Sequence, residues 1–278
     1  MSTAVASPPP VVPTAARGGG VTQRHVFRSE WTKLWSLRST RWSLLAAVVA
    51  MVGFGILVAL VQMSRWTLLS PPDRARFDSI DVSVSGMHLA QLAVGVLGVL
   101  VISGEYSTGM IRSSFMAVPR RLPVLWAKLT VFCAVTFVAM LVASLVSFLA
   151  VQAIVTQHGQ QHALSDPHAL RTVVGAALFL TALGALAVGL GALVRNTAGG
   201  IALFVFLLFV LPGITALLPQ STADAVNPYL PLDAGLAVAT STFDSSVHLA
   251  PWTGFAVFCG YAVIALAAAA VGLLRRDA

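Results

Sequence analysis

Charged residues are scarce in this chain of 278 residues. Asp, Glu, Lys and Arg together make up 10% of the sequence, whereas 57% of the residues are hydrophobic and the mean hydropathy is +0.86. Because a soluble domain carries about 25% charged residues, this composition disfavours a water-soluble enzyme. The chain has two cysteines, Cys133 and Cys259, and both lie in apolar runs, which excludes a disulfide framework.

The chain contains several long runs of residues without any charged side chain. A helix crosses a hydrocarbon core of about 30 Å with about 20 residues, and backbone groups in lipid must be satisfied within the segment, which favours helices over barrel strands here. We therefore expect an all-α membrane protein with six transmembrane helices. The windows that contain no Asp, Glu, Lys or Arg are 42–61, 87–103, 129–151, 172–194, 198–218 and 252–274.

The basic excess is distributed unevenly across these spans. The net charge is +7, and if the N-terminus is cytoplasmic, 13 of the 17 Lys and Arg residues fall on the cytoplasmic side. Among the ten acidic residues, only Glu30, Glu105 and Asp277 share that side. This asymmetry predicts a multi-pass protein of the cell membrane with both termini in the cytoplasm. The same asymmetry accounts for the basic pI, so we expect no nucleic acid as a partner.

The N-terminal stretch differs from the rest of the chain. Residues 1–23 contain four prolines and a run of three glycines with little apolar content, and we expect them to form a disordered tail. We expect residues 24–278 to form one six-helix membrane domain. Because the first apolar run begins at Trp42 and has the length of a full span, we expect an uncleaved anchor rather than a signal peptide.

An amphipathic segment precedes the first span. Phe27, Trp31, Leu34 and Trp35 follow i, i+4, i+7, i+8 spacing, which predicts an interfacial helix with its aromatic face in the headgroup layer. The alternative is a positively charged flank that merely orients the first span. The residues expected on the other face of the helix are Ser29, Lys33, Ser36 and Thr40.

Small residues and one proline give expectations about packing. Since helices in lipid associate by close approach, the small residues of the fourth and second spans predict helix contacts, although abundance alone would also explain them. Pro212 predicts a kink or break near the outer end of the fifth span. The small residues are Gly175, Ala185, Ala187, Gly189 and Gly191 in the fourth span, and Gly95 and Gly98 in the second.

The motifs of several enzyme classes do not occur. The sequence has no GxxxxGK[ST] phosphate loop and no HExxH motif. His158, His162 and His168 share an outer loop with Asp166, but Gly159 and Pro167 make a rigid metal site there improbable. None of the six windows contains an ionisable carboxylate or amine of the kind that ion-coupled carriers use. We therefore expect no catalytic, cofactor or metal site on this chain, and an external energy source.

One cytoplasmic loop could receive that energy. After residue 103 the chain has about 25 residues before it re-enters the membrane, and residues 111–117 are compatible with a short helix between Gly109 and Pro119. A short helix parallel to the membrane can dock into a cleft on another protein. The alternative is an ordinary solvated connector.

At these residues the sequence resembles the permease subunits of ABC type-2 transporters, particularly actinobacterial-like ones. GEYSTGMIR at 104–112 and VPRRLPVLWAK at 118–128 resemble the family's coupling segment, and SEWTKLWSLRSTRW at 29–42 resembles its N-terminal interfacial helix. NPYLP at 227–231, followed by Ala234 and Gly235, resembles its outer loop. The chain departs from the family's pattern at Met110, where threonine is frequent, and at Leu232 and Asp233.

The resemblance implies a permease subunit of an ATP-driven exporter that pairs with a second permease copy or paralogue and with separate ATPase subunits that bind ATP. It implies short re-entrant helices in the outer loop, which would gate the path near Pro228, Tyr229 and Pro231. Glu105 would pair with a basic group at the end of the span or on the ATPase, or else be a solvated helix-end carboxylate. The residues implied to couple to the ATPase are Glu105, Tyr106, Gly109, Arg112, Arg120 and Arg121.

Two other functions remain open at this point. A membrane-integral enzyme would need polar residues clustered at one depth of the spans, and the windows show none. An accessory or scaffolding multi-pass protein without a transport path would have no need of a coupling helix. The permease is therefore the leading hypothesis.

Overall fold

The structure, a computed structural model, describes residues 23–107, 109, 121–241 and 249–276. These residues form helices and connecting turns, with no β-strand in the described part of the chain. Six helical segments are long and apolar enough to cross a membrane. The predicted all-α fold class with six spans is thus confirmed, while the expected N-terminal tail lies almost entirely outside the described residues.

The helices follow one another in a simple order. The N-terminal helix α1 leads into the first span, and two short helices, α3 and α4, connect the first span to the second. Their bounds are α1 Gln23–Ser36, the first span α2 Arg38–Ser64, α3 Pro71–Ala75, α4 Ser79–Val84, the second span α5 Met87–Ser107, the third span α6 Arg121–Val155 and the fourth span α7 Ala169–Val194. The fifth span comprises α8 Thr197–Val205, a π-helical turn Phe206–Val210 and α9 Leu211–Thr215, and after it come α10 Gln220–Val226, α11 Pro231–Leu236 and the sixth span α12 Pro251–Arg276.

Two ends of the bundle can be distinguished. Hydrophobic side chains of the second, third, fourth and sixth spans form one cluster at one end. The fifth span begins there too, because Ser103 Oγ lies 2.9 Å from Thr197 Oγ1. We call this end the basic end, since α1 and Arg195 also lie there, and the other end the opposite end. The members of the cluster are Ile102, Leu125, Ala192, Ala269 and Leu273.

The helices at the basic end extend past the predicted windows. The second span continues to Ser107 and therefore includes Glu105 and Tyr106, which were expected in a loop. The third span begins at Arg121, eight residues before the predicted window, and so carries Lys128 inside the helix. The helices are therefore longer than the uncharged windows at this end, and both charges have partners within the fold, which are described below.

The fourth span is the central helix of the bundle. In its most apolar window 72% of the residues are buried, against 22% in the first span and 17% in the fifth. Its glycines allow close contact: a Cβ on Gly98 of the second span would lie 2.7 Å from the Gly184 carbonyl oxygen, and one on Gly189 would lie 3.0 Å from Ala265 Cβ. The predicted packing through small residues is confirmed at these positions.

The fifth span is irregular near Pro212, where a kink or break is predicted: it contains a π-helical turn and continues as a helix to Thr215. The Leu211 N–H, one residue before the proline, donates to the Phe206 carbonyl five residues earlier, which makes residues 206–210 the π-helical turn. Proline has no N–H to continue the α-helical pattern, and a π-bulge absorbs the mismatch. At the start of this span the Asn196 side chain accepts from the Gly199 N–H at 2.9 Å, which caps α8 after a tight turn at Arg195.

Candidate functional site

A buried group of four charged residues lies at the basic end. Glu30 and Lys33 come from α1, Glu105 from the last turns of the second span, and Lys128 from the third span. Lys128 Nζ lies 2.5 Å from Glu30 Oε2 and 2.8 Å from Glu105 Oε1, while Lys33 Nζ lies 2.9 Å from Glu30 Oε1 and 3.2 Å from Glu105 Oε1. We refer to these four residues as the charge cluster.

Burial makes the pairing in the charge cluster obligatory. Glu30, Glu105 and Lys128 are buried, with 4%, 8% and 6% of their surface exposed. An unpaired charge in such surroundings costs several kcal/mol. Each ammonium contacts both carboxylates, so the cluster of two acids and two bases is formally neutral, and it links α1, the second span and the third span.

Lys33 is the most exposed member of the charge cluster, with 25% of its side chain exposed. Its partial burial acts to lower its pKa, but the hydrogen bond to Glu30 and the negative charges of Glu105 and Glu30 act more strongly together. The pKa of Lys33 is therefore raised above its ordinary value. Lys33 stays protonated at neutral pH and holds α1 to the end of the second span.

The helical spacing of α1 places its two charged members toward the bundle. Val26, Glu30 and Leu34 recur at i, i+4 and i+8 and are all buried. Val26 packs in one apolar cluster with Val124 and Ala127 of the third span. One face of α1 is therefore a protein-facing stripe with a carboxylate at its centre.

The aromatic residues of α1 lie on a different face from Leu34. Phe27, Trp31 and Trp35 are 37%, 50% and 43% exposed, and the rings of Trp31 and Trp35 are 5.9 Å apart. The prediction that Leu34 shares their face was wrong, because Leu34 packs into a core cluster with Leu97 of the second span. Lys33, which is expected on the face opposite the aromatic residues, joins the charge cluster. The amphipathic helix itself, α1, is present and ends at Ser36.

Glu105 is paired within this chain. Of the two alternatives for this residue, the solvated helix-end carboxylate is wrong, since Glu105 is buried and paired with Lys33 and Lys128. Tyr106 follows it, half-buried, with the guanidinium carbon of Arg195 5.3 Å from its ring centroid. The Arg195 guanidinium also donates to the Gly272 carbonyl of the sixth span at 3.1 Å, so the ends of the second, fourth and sixth spans are connected.

Gly109 makes the turn that its position predicts. Its φ is +71°, a left-handed conformation that favours glycine, and its N–H donates to the Tyr106 carbonyl at 3.3 Å. The chain therefore turns sharply just past the end of the second span. Arg112, Arg120 and the predicted helix 111–117 lie outside the described residues, and of Arg121 the structure describes the backbone alone.

At the opposite end, the segment before the sixth span has structure of its own. Pro228 and Tyr229 lie in a 3₁₀ turn, where the Tyr229 side chain is exposed and its carbonyl accepts from the Tyr261 hydroxyl at 2.9 Å. Pro231 is buried and begins α11. Short helices are present in this loop as expected, whereas their re-entrant character and the gate role of these three residues stay predictions.

The end of this segment is held by polar contacts that the sequence did not indicate. The Arg171 guanidinium donates to the carbonyls of Thr240 and Ser241 at 2.8 and 3.0 Å. The Ser241 N–H donates to Asp81 Oδ1 at 2.7 Å, and its hydroxyl contacts Asp78. Residues 237–241 are thereby fixed between α4 and the fourth span.

The three histidines of the loop before the fourth span have separate roles in the structure. His162 Nδ1 lies 2.9 Å from Ser79 Oγ, while the ring of His158 packs at a tilt of 58° against the ring of Trp66, with 5.7 Å between their centroids. His168 adopts a left-handed conformation before the fourth span. Within the described ranges, no three His, Cys, Asp or Glu side chains are grouped as metal ligands would be.

Sequence reasoning missed Glu30 and Lys128 as members of a site. The available signal was the rarity of acids at the basic end: Glu30 and Glu105 are two of the three acids assigned to that side. A carboxylate that lies among many cations close to a membrane boundary is expected to form an ion pair with one of them. The partner could not be named from sequence, because Glu30 and Lys128 are 98 residues apart in the chain.

These features define the class of the molecule: it is a multi-pass α-helical membrane protein with a charge cluster at one end of its bundle. The chain belongs to the ABC-2 transporter family, because the family model described as "ABC-2 family transporter protein" matches residues 87–278. That match begins at the second span, includes Glu105 and Lys128, and leaves α1 outside. No curated protein matches the chain. Family membership makes the chain a membrane permease of an ABC transporter.

Proposed function

We propose that this chain is the permease subunit of an ATP-driven exporter and receives mechanical work from a separate ATPase subunit at its basic end. Membership of the ABC-2 family supports the transporter class. The sequence has no phosphate loop of the GxxxxGK[ST] type, which supports ATP binding on a partner and a non-catalytic role for this chain. The basic end faces the cytoplasm of the cell, as its excess of Lys and Arg favours.

The observation that carries the coupling proposal is the charge cluster. Residues 108–120 connect the second and third spans, and Glu105 and Lys128, on either side of that connection, are 2.8 Å apart through their side chains. The same two residues contact α1 through Lys33 and Glu30. A displacement of the connecting segment would therefore move three elements together rather than one.

The central position of the fourth span supports pairing with a second permease. A path through one copy would have to displace the helix whose window is 72% buried, and the tight contacts at Gly98 and Gly189 oppose that. We infer that cargo passes between two permease copies, identical or paralogous. The segment with Pro228, Tyr229 and Pro231 would then close the path on the outer side.

The test begins with affinity purification of the tagged full chain in mild detergent and mass spectrometry of the recovered partners. We expect a stoichiometric soluble subunit with a phosphate loop, whose ATPase activity rises when the permease is reconstituted with it. Recovery of the chain without any ATPase, even after cross-linking at Arg112, would refute the proposal and favour an accessory protein.

A glycine pair provides a matched test of the coupling segment. Gly109 and Gly159 both have positive φ, +71° and +68°, and in both cases a Cβ would meet no atom of the described residues within 4 Å. Valine costs about the same backbone strain at either site, roughly 1–2 kcal/mol. We expect Gly109→Val to abolish most of the stimulated ATPase activity and Gly159→Val, at the opposite end, to retain it. Equal activity of the two variants would contradict a coupling role for this turn.

A further inference from the structure

A groove runs along the outer side of α1 at the basic end. It has a volume of about 600 Å³ and is lined by Arg24, His25, Phe27, Arg28 and Trp31 of α1 and by Val131 of the third span. This size is within the range of small-molecule sites. The groove lies apart from the charge cluster, which is covered by the other face of α1.

The two arginines of the groove are available to a ligand. Arg24 and Arg28 are exposed, and neither forms an ion pair with any residue in the described ranges. They are four residues apart on one helix, so their side chains are neighbours on the same face. Two adjacent guanidinium groups can share one phosphate through charge-assisted hydrogen bonds.

Exposed aromatic rings continue the same face of α1 toward the first span. Trp31 lies one turn beyond Arg28, and Trp35 one turn further. Tryptophan is typical of the membrane interface, where its ring lies among the headgroups and the upper acyl chains. The face therefore presents cationic groups beside aromatic rings, which suits a phospholipid phosphate with its acyl chains close by.

We propose that this groove binds the headgroup of an anionic phospholipid, with Arg24 and Arg28 contacting the phosphate and Trp31 packing against the adjoining acyl region. The N-terminal residues 1–22 are a poor occupant, because they contain no acidic residue and one arginine. A second copy of the chain is also a poor occupant, because its own α1 face carries the same positive charge. Anionic lipid has the complementary charge and is present wherever a membrane protein is inserted.

The test uses the full chain in phosphatidylcholine bilayers that contain a minor fraction of phosphatidylglycerol. One of the two lipids carries brominated acyl chains, which quench nearby tryptophan, and the signal of Trp31 is the difference between the wild type and Trp31→Phe. We expect brominated phosphatidylglycerol to quench Trp31 well beyond its mole fraction in the bilayer, and brominated phosphatidylcholine not to do so.

A charge-matched pair of variants separates a site from diffuse attraction. Arg24→Gln/Arg28→Gln should reduce the preference for phosphatidylglycerol about tenfold per arginine, ~100-fold for the pair, because each substitution removes a charge-assisted hydrogen bond to the phosphate. Arg38→Gln/Arg41→Gln removes the same charge from exposed positions at the same end, outside the groove, and should reduce it by no more than the diffuse attraction of about fivefold per arginine. Equal losses in both double variants, or no preference in the wild type, would overturn the proposal. The quenching experiment does not measure whether an ATPase subunit binds this chain, so failure of the lipid proposal and failure of the proposed function can be distinguished.

Discussion

Replacing Lys128 with methionine should destabilise the folded chain more than any other single change in the charge cluster. The Lys128 side chain is 7% exposed and contacts both carboxylates, which are themselves 4% and 10% exposed. Its removal leaves two buried negative charges with Lys33 as their remaining partner in the cluster. Removal of one partner from a buried ion pair costs about 3–5 kcal/mol, and we expect a loss of unfolding free energy in this range.

The neighbouring lysine gives the internal comparison. Lys33 contacts the same two carboxylates but is 25% exposed, so water replaces part of its interaction. We expect Lys33→Met to cost about 1–2 kcal/mol. Arg65→Met, at an exposed position of the opposite end, is the control and should change the unfolding free energy by less than about 0.5 kcal/mol.

The measurement is an unfolding titration of the full chain from mild detergent into sodium dodecyl sulfate, followed by far-ultraviolet circular dichroism. Glu105→Gln/Lys128→Met should recover part of the loss of Lys128→Met, because the double variant removes one of the unpaired carboxylates. A loss below about 1 kcal/mol for Lys128→Met, or one no larger than that of Arg65→Met, would refute the view that the cluster holds the three elements together.

Two further predictions concern packing and the opposite end. Gly98→Ala should destabilise the bundle by about 1–3 kcal/mol in the same titration, because its Cβ would lie 2.7 Å from the Gly184 carbonyl oxygen. Gly53→Ala, where a Cβ meets nothing within 4 Å, should be neutral or stabilising, and the reverse order would contradict the packing described here. Arg171→Met should increase amide hydrogen exchange at Ser241, whose N–H donates to Asp81, because the substitution releases the carbonyls of Thr240 and Ser241; unchanged exchange would show that other contacts fix this segment.

The six spans could be predicted because they depend on a local property. About 20 consecutive residues without a charge are sufficient to indicate a membrane helix, and no knowledge of neighbours is needed. The ends of the spans could not be predicted in the same way. Lys128 lies inside the third helix, where Glu30, far away in the sequence, neutralises its charge. A predicted span that ends at the first charged residue takes no account of a distant residue that pairs with that charge.

The same distinction holds for the candidate site. The left-handed turn at Gly109 could be predicted, since glycine is the residue that such a turn favours. The face of Leu34 could not, because α1 has two apolar surfaces: one packs on the bundle and the other carries Trp31 and Trp35. Helical spacing shows that both are apolar, but only the tertiary structure shows which surface each residue belongs to.

The enclosed fourth span has a consequence for the synthesis of the protein. Its Gly189 face packs on Ala265 of the sixth span, which leaves the ribosome after the other five spans. Until then, a stripe of small residues that is complementary to protein has only lipid beside it. This face of the bundle can therefore close only when the sixth span arrives, and until then the newly inserted chain leaves a protein-facing surface open to degradation or to chaperones of the membrane.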